Sequence, residues 1–469
     1  MRRENPSPRT ASTIAAAASA LLAVVAGGCI AERDLSPISP RVSRIFETRV
    51  GGGGVGDVDV LFVIDDSNSM EQEQESLRRE IPLLIEGLTN PPLDENGQPR
   101  WAAVESLRVG IVTTNMGSVG YPETRRLPPV CQQNRYFGDN GELRESCDEG
   151  SGVLSWETGD SPSEFAGRVA CVADAGIGGC GLEMPLLAAT EGLLAGGEAF
   201  PREDSLLAIV VLSDEEDCSL ADPAAFFATG EAGVQLNQRC SREPGLLITV
   251  DTIVAGLVGE RDPDKILFAA LVGVPDHMED LSFDALLALP EMQYRYRGTD
   301  TGLEVACERT VGGVSEGSAA PGRRYLEIAN QLEGSLVRSI CAESYQPAIT
   351  ELTARIGSRI GFICANRSLT PDEDGAVVCD VIETLPMGEV CSDYPARVFV
   401  EINEQGRQVC EVQQAVRGQT EGWRYDVSNA TCEQVAYVPI ETAPPRGTQI
   451  DLACLVDVEA PVDGNPIGG

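Results

Sequence analysis

The run Val58-Asp59-Val60-Leu61-Phe62-Val63-Ile64 is apolar at every position but one and stops abruptly at Asp65-Asp66-Ser67-Asn68-Ser69. A run without clean apolar/polar alternation reads as a strand buried on both faces, the pattern of a parallel sheet covered by helices. Leu107 to Thr114, Leu206 to Leu212 and Ile266 to Val274 have the same texture. After the first run, Leu77, Ile81, Leu84, Ile85 and Leu88 recur at helical spacing, and Pro82 is expected to kink that helix rather than end it. Strands alternating with helices predict a doubly wound, mostly parallel α/β sheet. Sheets of this kind bind ligands beyond the carboxyl ends of their strands, where the strand order reverses, and Asp65 and Asp214 both follow such runs.

Asp65, Ser67 and Ser69 share one parity, so in an extended chain their side chains project to one side. One carboxylate and two hydroxyls suit a hard cation, Mg²⁺ first, with Mn²⁺ or Ca²⁺ as alternatives. A competing reading has the same residues capping the helix that begins near Met70-Glu71-Gln72-Glu73, where early acids match the helix dipole. The Asp-x-Ser-x-Ser stretch resembles the von Willebrand factor type A domains, whose metal-ion-dependent adhesion site (MIDAS) carries that motif at the end of the first strand. The resemblance covers about Asp57 to Ile360, less the insertions. It implies a threonine from a second loop, an aspartate from a third, and an open metal position that accepts a partner's carboxylate. Asp214, in Ser213-Asp214-Glu215, takes the aspartate's role, and Gly178-Gly179-Cys180 sets Cys180 at the threonine's place, a degenerate position because a bridged cysteine offers a hard cation nothing.

Arg2 and Arg3 precede an Ala-rich apolar segment from about Ile14 to Ala26, with Gly27-Gly28 just before Cys29. This looks like a bacterial lipoprotein signal peptide, so residues 1–28 are expected to be removed and Cys29 lipidated, leaving a chain anchored in the cell envelope. Ile30, rather than Asp, after the cysteine points by analogy to the outer membrane of a Gram-negative bacterium. The membrane is then met through the lipid alone. Of 15 cysteines, setting Cys29 aside leaves an even number, as full pairing in an oxidising compartment requires. Cys131 with Cys147, Cys171 with Cys180 and Cys218 with Cys240 are close enough in sequence to suggest local staples, although spacing does not establish connectivity. The net charge of −38, with Lys265 the one lysine, argues against a nucleic-acid partner.

The expected organisation is a flexible tether over 29–56, a sheet domain over 57–361 with insertions near 117–179 and 275–322, a Cys-rich β domain over 362–457 and a disordered tail over 458–469. Helical spacing returns from Tyr325 to Ile360, with Ile349, Leu352 and Ile356 on a closing helix. Trp423 and Tyr425 read as core of the small domain or as a binding platform. No nucleophile elbow, zinc-protease helix or phosphate loop is present, and His277 alone gives no base with a partner, so no enzyme is expected. The function expected is a surface lipoprotein binding a divalent cation and adhering to a protein or surface polysaccharide. The alternative is a metal-free scaffold that recognises partners through the inserted loops or the β domain.

Overall fold

The computed structural model describes residues 42–458 except 51–55, 94–98, 122–136, 146, 148–151, 204, 229–235, 262, 277, 279–280, 297–302, 313, 361, 365–368, 404, 417, 427–433, 439–443 and 445–447. The leader, Cys29, His277 and the tail from 459 onward lie outside the described residues. In chain order the elements begin with β1 (Val42–Val50), β2 (Asp57–Ile64), α1 (Glu71–Thr89), β3 (Ser106–Thr113), β4 (Val153–Glu157), α2 (Pro162–Val172), α3 (Pro185–Ala195) and β5 (Leu206–Leu212). There follow α4 (Pro223–Ala228), α5 (Leu236–Arg242), α6 (Val250–Val258), β6 (Ile266–Val272), α7 (Phe283–Ala288), β7 (Cys307–Val311), β8 (Val314–Ala319), α8 (Arg323–Ala329), β9 (Leu336–Ser339) and α9 (Gln346–Gly357). The remaining strands are β10 (Phe362–Cys364), β11 (Cys379–Thr384), β12 (Arg397–Ile402), β13 (Gln408–Val412), β14 (Gly422–Asp426), β15 (Gln434–Val438) and β16 (Gln449–Val458).

The central sheet has the order β4-β3-β2-β5-β6-β9 and is parallel except for β4, which runs antiparallel on β3. This is the doubly wound α/β architecture that the apolar runs predict. Alternate residues of β2 feed two cores. Val58, Val60, Phe62 and Ile64 pack with residues of α1, α2 and α9, among them Leu77, Val169 and Ile349. Leu61 and Val63 face α3, α6 and α8 through Leu186, Ile253 and Leu326. The chain leaves β2 toward β3 on one side and later returns to β5 on the other, so the strand order reverses beside β2. The crevice beyond the carboxyl ends of β2 and β5 is where such sheets hold ligands.

Several expectations need correction. The insertion near 117–179 carries structure of its own: it adds β4 to the sheet edge, with Leu154 and Trp156 buried in the α1 core, and α2, which packs on the same face. Its staple is Cys147–Cys171, because α2 carries Cys171 to within 6.4 Å Cα–Cα of Cys147. Cys180 is disulfide-bonded but not to Cys171. Cys218–Cys240 pairs as expected. The second insertion folds α7 and the hairpin β7–β8, and Cys307 bonds Cys341 beyond β9. The stretch from Tyr325 is interrupted by β9, only four residues long and holding Arg338, which gave no apolar run to notice. The expected tether contains β1, which lies next to β16 at the edge of the C-terminal sheet and so gains hydrogen-bonded neighbours that a free linker lacks.

That sheet has the order β1-β16-β11-β13-β12, and β11 pairs antiparallel with both β13 and β16. Cys379–Cys454 and Cys391–Cys410 tie it. Trp423 is buried and its indole N–H donates to Val412 O at 2.9 Å, which makes it core; Tyr425, half-buried, packs against that core, and its hydroxyl accepts from Leu369 N at 2.8 Å.

Candidate metal centre

Strand register builds the site. Ile64 stands opposite Thr113 on β3 and Leu212 on β5, so the next residues of the three chains, Asp65, Thr114 and Ser213, come level. Asp65 is fully buried, and its carboxylate is held on every side: Oδ2 accepts from Ser213 Oγ at 2.6 Å, and Oδ1 accepts from Ser67 N at 2.9 Å and from Thr114 Oγ1 at 3.4 Å. Behind it, Gln74 Nε2 on α1 donates to Asp65 O at 2.7 Å and to Gly176 O at 2.8 Å, pinning the first loop to the second. Thr114 and Ser213 were missed from sequence because their contact with Asp65 depends on register.

Strand parity does not group the hydroxyls. The chain turns at Asp65-Asp66-Ser67, closed by the Ser67 N–H on the Asp65 carboxylate, and this local turn brings Ser67 Oγ and Ser69 Oγ to 3.1 Å. Nor do these residues cap α1. Its N-cap is Met70, without a side-chain cap hydrogen bond, so the hydroxyls of Ser67 and Ser69 face each other instead of the helix N-terminus.

Asp214 follows β5 with its main-chain oxygen accepting from Ala320 N at 2.8 Å, and the Ser69 hydroxyl is the neighbour that pulls its carboxyl's pKa down against burial. The motif's far serine and the third-loop aspartate thus influence one another. Asp214 is buried, and its Oδ1 has no hydrogen-bond partner. Asp66 Oδ1 and Glu73 Oε2 at the same rim are also buried without partners. Burial first, then the charges of Asp65 and Glu215, push Asp214 up to about 8. Burial, then Asp65 and Asp139, push Asp66 to about 7, and burial, then Asp65 and Glu216, push Glu215 to about 7. For Asp65 burial outweighs its hydrogen bonds and raises it.

Cys180 lies buried in the second loop and its sulfur is used in a disulfide. The hydroxyl nearest Asp65 from outside the motif's own loop and β5 is instead that of Thr114, at the end of β3. Among the described residues no three His, Cys, Asp or Glu side chains stand close enough together to hold an ion by themselves. A donor set here consists of Asp65 and Asp214 together with the hydroxyls of Ser67 and Ser69. Hard oxygens around an orphaned buried carboxylate oxygen fit a small divalent cation.

No family model matches the chain. No curated protein matches it either. Among solved structures, it is similar to proximal thread matrix protein 1 of the mussel byssus with a zinc-occupied MIDAS motif, at 11% identity over 66% of this chain and 48% of that chain, with a TM-score of 0.26. It is similar to BatB of Bacteroides thetaiotaomicron at 12% identity over 64% of this chain and 98% of that chain, with a TM-score of 0.27. It is similar to the pilus adhesin SpaC of Lactobacillus rhamnosus GG at 8% identity over 88% of this chain and 42% of that chain, with a TM-score of 0.31. The chain spans about half the length of the byssus protein, 48% of it. Similarities this remote carry no argument about what the protein does.

Proposed function

We propose that the protein is an envelope lipoprotein, anchored through Cys29, whose α/β sheet holds a divalent cation at Asp65, Ser67, Ser69 and Asp214 and engages a protein or surface polysaccharide. Mg²⁺ is the first choice, since it keeps water in its shell and needs few protein oxygens. The observation that carries the reading is the Asp214 carboxyl after β5, buried with its Oδ1 unpartnered, while Asp65 stands buried after the neighbouring β2. Asp65 is fixed by Ser213, Thr114 and the Ser67 N–H, so it is pre-positioned. Ser67 and Ser69 present adjacent hydroxyl oxygens, and Asp214 brings the second carboxylate from β5. A bound ion would supply a positive charge that answers both carboxylates and an acidic-group anchor for a partner. The role is binding, with no catalytic group assigned.

A metal-free scaffold is favoured by one observation: β12 is an edge strand whose Val398, Phe399, Val400 and Ile402 are about half exposed or more, an apolar edge suited to a partner's strand. Thermal denaturation separates the two readings. Mg²⁺, Mn²⁺ or Ca²⁺ added to chelator-stripped protein should raise the melting temperature, and Asp65→Ala should abolish the rise. No shift with any of the three ions would favour the scaffold.

A further inference from the structure

Among the described residues, the disulfides differ sharply in burial. Cys218–Cys240, Cys307–Cys341 and Cys391–Cys410 have both members buried, and Cys379–Cys454 has Cys454 buried and Cys379 half-buried. In Cys147–Cys171 both members are exposed. They line an open groove of about 570 Å³ together with Asp160, Glu164, Phe165 and Arg168. Exchange with a disulfide requires an incoming thiolate to reach one of its sulfurs. The fully buried bridges are closed to that attack until the chain opens around them, whereas Cys147–Cys171 is reachable in the native state.

The chain on either side of this bridge is held by other bonds. α2 is capped by Ser161 Oγ, which accepts from Glu164 N at 3.3 Å, and is seated in the core by Phe165, Ala166, Val169 and Val172. Before Cys147, Arg144 N donates to Ile111 O on β3 at 2.8 Å. The Arg144 guanidinium donates to Val172 O and Asp174 O at 3.1 and 3.2 Å, so it spans the same two segments that the disulfide joins. Arg78 of α1 donates to Ala170 O at 3.1 Å and pairs with Asp174 at 2.9 Å. Breaking the S–S bond therefore leaves α2 anchored, and opening the bridge is separable from unfolding the chain.

We propose that Cys147–Cys171 is a thiol-exchange site, opened reversibly by a neutral or cationic dithiol while the fold stays intact. The reagent's thiolate attacks one cysteine sulfur: the S–S bond breaks, a mixed disulfide forms on that cysteine, and the other cysteine leaves as a thiolate that takes a proton from water. The reagent's second thiol gives up its proton and attacks its own sulfur in the mixed disulfide, which releases the second cysteine. The dithiol is thereby oxidised by two electrons to a disulfide, and the protein gains two thiols. Charge selects the reagent, because Asp160 and Glu164 outnumber Arg168 in the groove and repel an anionic thiol. The site is independent of the cation site proposed above.

The test is treatment of the native full chain with dithiothreitol, quenching with iodoacetamide at intervals and mapping the labelled cysteines by mass spectrometry. Cys147 and Cys171 should be labelled about tenfold faster, or more, than Cys218, Cys240, Cys307, Cys341, Cys391 and Cys410, with the near-UV circular dichroism unchanged. A smaller ratio, or loss of the near-UV signal in step with labelling, overturns the proposal. Dihydrolipoate, an anionic dithiol, tests the charge preference: added salt should speed its reaction more than that of dithiothreitol. Equal salt dependence would strike that preference. Cys147→Ser with Cys171→Ser should fold with a native spectrum and lose the fast labelling. A double variant that does not fold would make the bridge a structural necessity and defeat the inference.

Discussion

Asp214 sits where burial and like charge act together: one carboxyl oxygen lacks a partner, and Asp65 and Glu215 are its strongest charged neighbours. Asp66, Glu215 and Asp214 are raised to about 7, 7 and 8. An unfolded chain releases these protons near pH 4. Between there and pH 7 to 8 the folded chain still holds them, so unfolding releases protons and stability falls as pH rises; above about 8 the penalty is complete. Metal-free protein should therefore melt at progressively lower temperature from pH 5 to 8.5, and saturating Mg²⁺ should flatten the decline, because metal binds the deprotonated groups. A melting temperature that climbs with pH in chelator would contradict this arrangement. Asp65, Ser67, Ser69 and Asp214 were singled out from sequence by the Asp-x-Ser-x-Ser spacing after one apolar run, and by the resemblance that sets an aspartate after another. Thr114 and Ser213 could not be, since their approach to Asp65 requires knowing that Ile64 faces Thr113 and Leu212.

Among the elements, the second loop depends on close packing against the first. Gly179 N donates to Asp66 O at 2.7 Å, and a Cβ on Gly179 would lie 2.1 Å from Asp66 Oδ1 and 2.3 Å from its Cγ. Asp66 is short and buried, so the loop itself has to move. Gly179→Ala is expected to cost about 1–3 kcal/mol, as overpacking does, and to reduce stabilisation by Mg²⁺ by displacing the neighbour of Asp65. Gly178→Ala is the matched control, since a Cβ there meets nothing within 4 Å. Urea denaturation of the two variants with and without Mg²⁺ checks this; equal behaviour would show that the loop yields freely. The long buried strands were legible because burial on both faces leaves an uninterrupted apolar run. β4 was not, because its alternation of buried Leu154 and Trp156 with exposed Ser155 and Glu157 lies in a Gly- and acid-rich surrounding.

Across the whole molecule the apolar side chains form separate cores: two flank the central sheet, and another, with Val381, Val412, Trp423 and Leu452, belongs to the C-terminal strands. The proposed cation site adjoins the first two, through Asp65 after β2 and Asp214 after β5. The C-terminal strands instead enclose Arg397 and Glu383, both fully buried, joined by Nε and Nη2 bonds of 3.0 and 2.9 Å, with the guanidinium 5.6 Å from the Tyr394 ring centre. Arg397→Met leaves Glu383 charged and unanswered, which is expected to cost about 3–5 kcal/mol, whereas Arg397→Met with Glu383→Leu should recover most of it. Mg²⁺ at a hundredfold excess over its Kd should add about 2.7 kcal/mol, but only to the unit that holds the ion. Scanning calorimetry should accordingly resolve two transitions, one raised by Mg²⁺ and insensitive to Arg397→Met, the other lowered by Arg397→Met and insensitive to Mg²⁺. A single transition moved by both would mean that the cores unfold as one body, and that a cation bound beyond β2 and β5 also steadies the strand edge at β12 through cooperative unfolding.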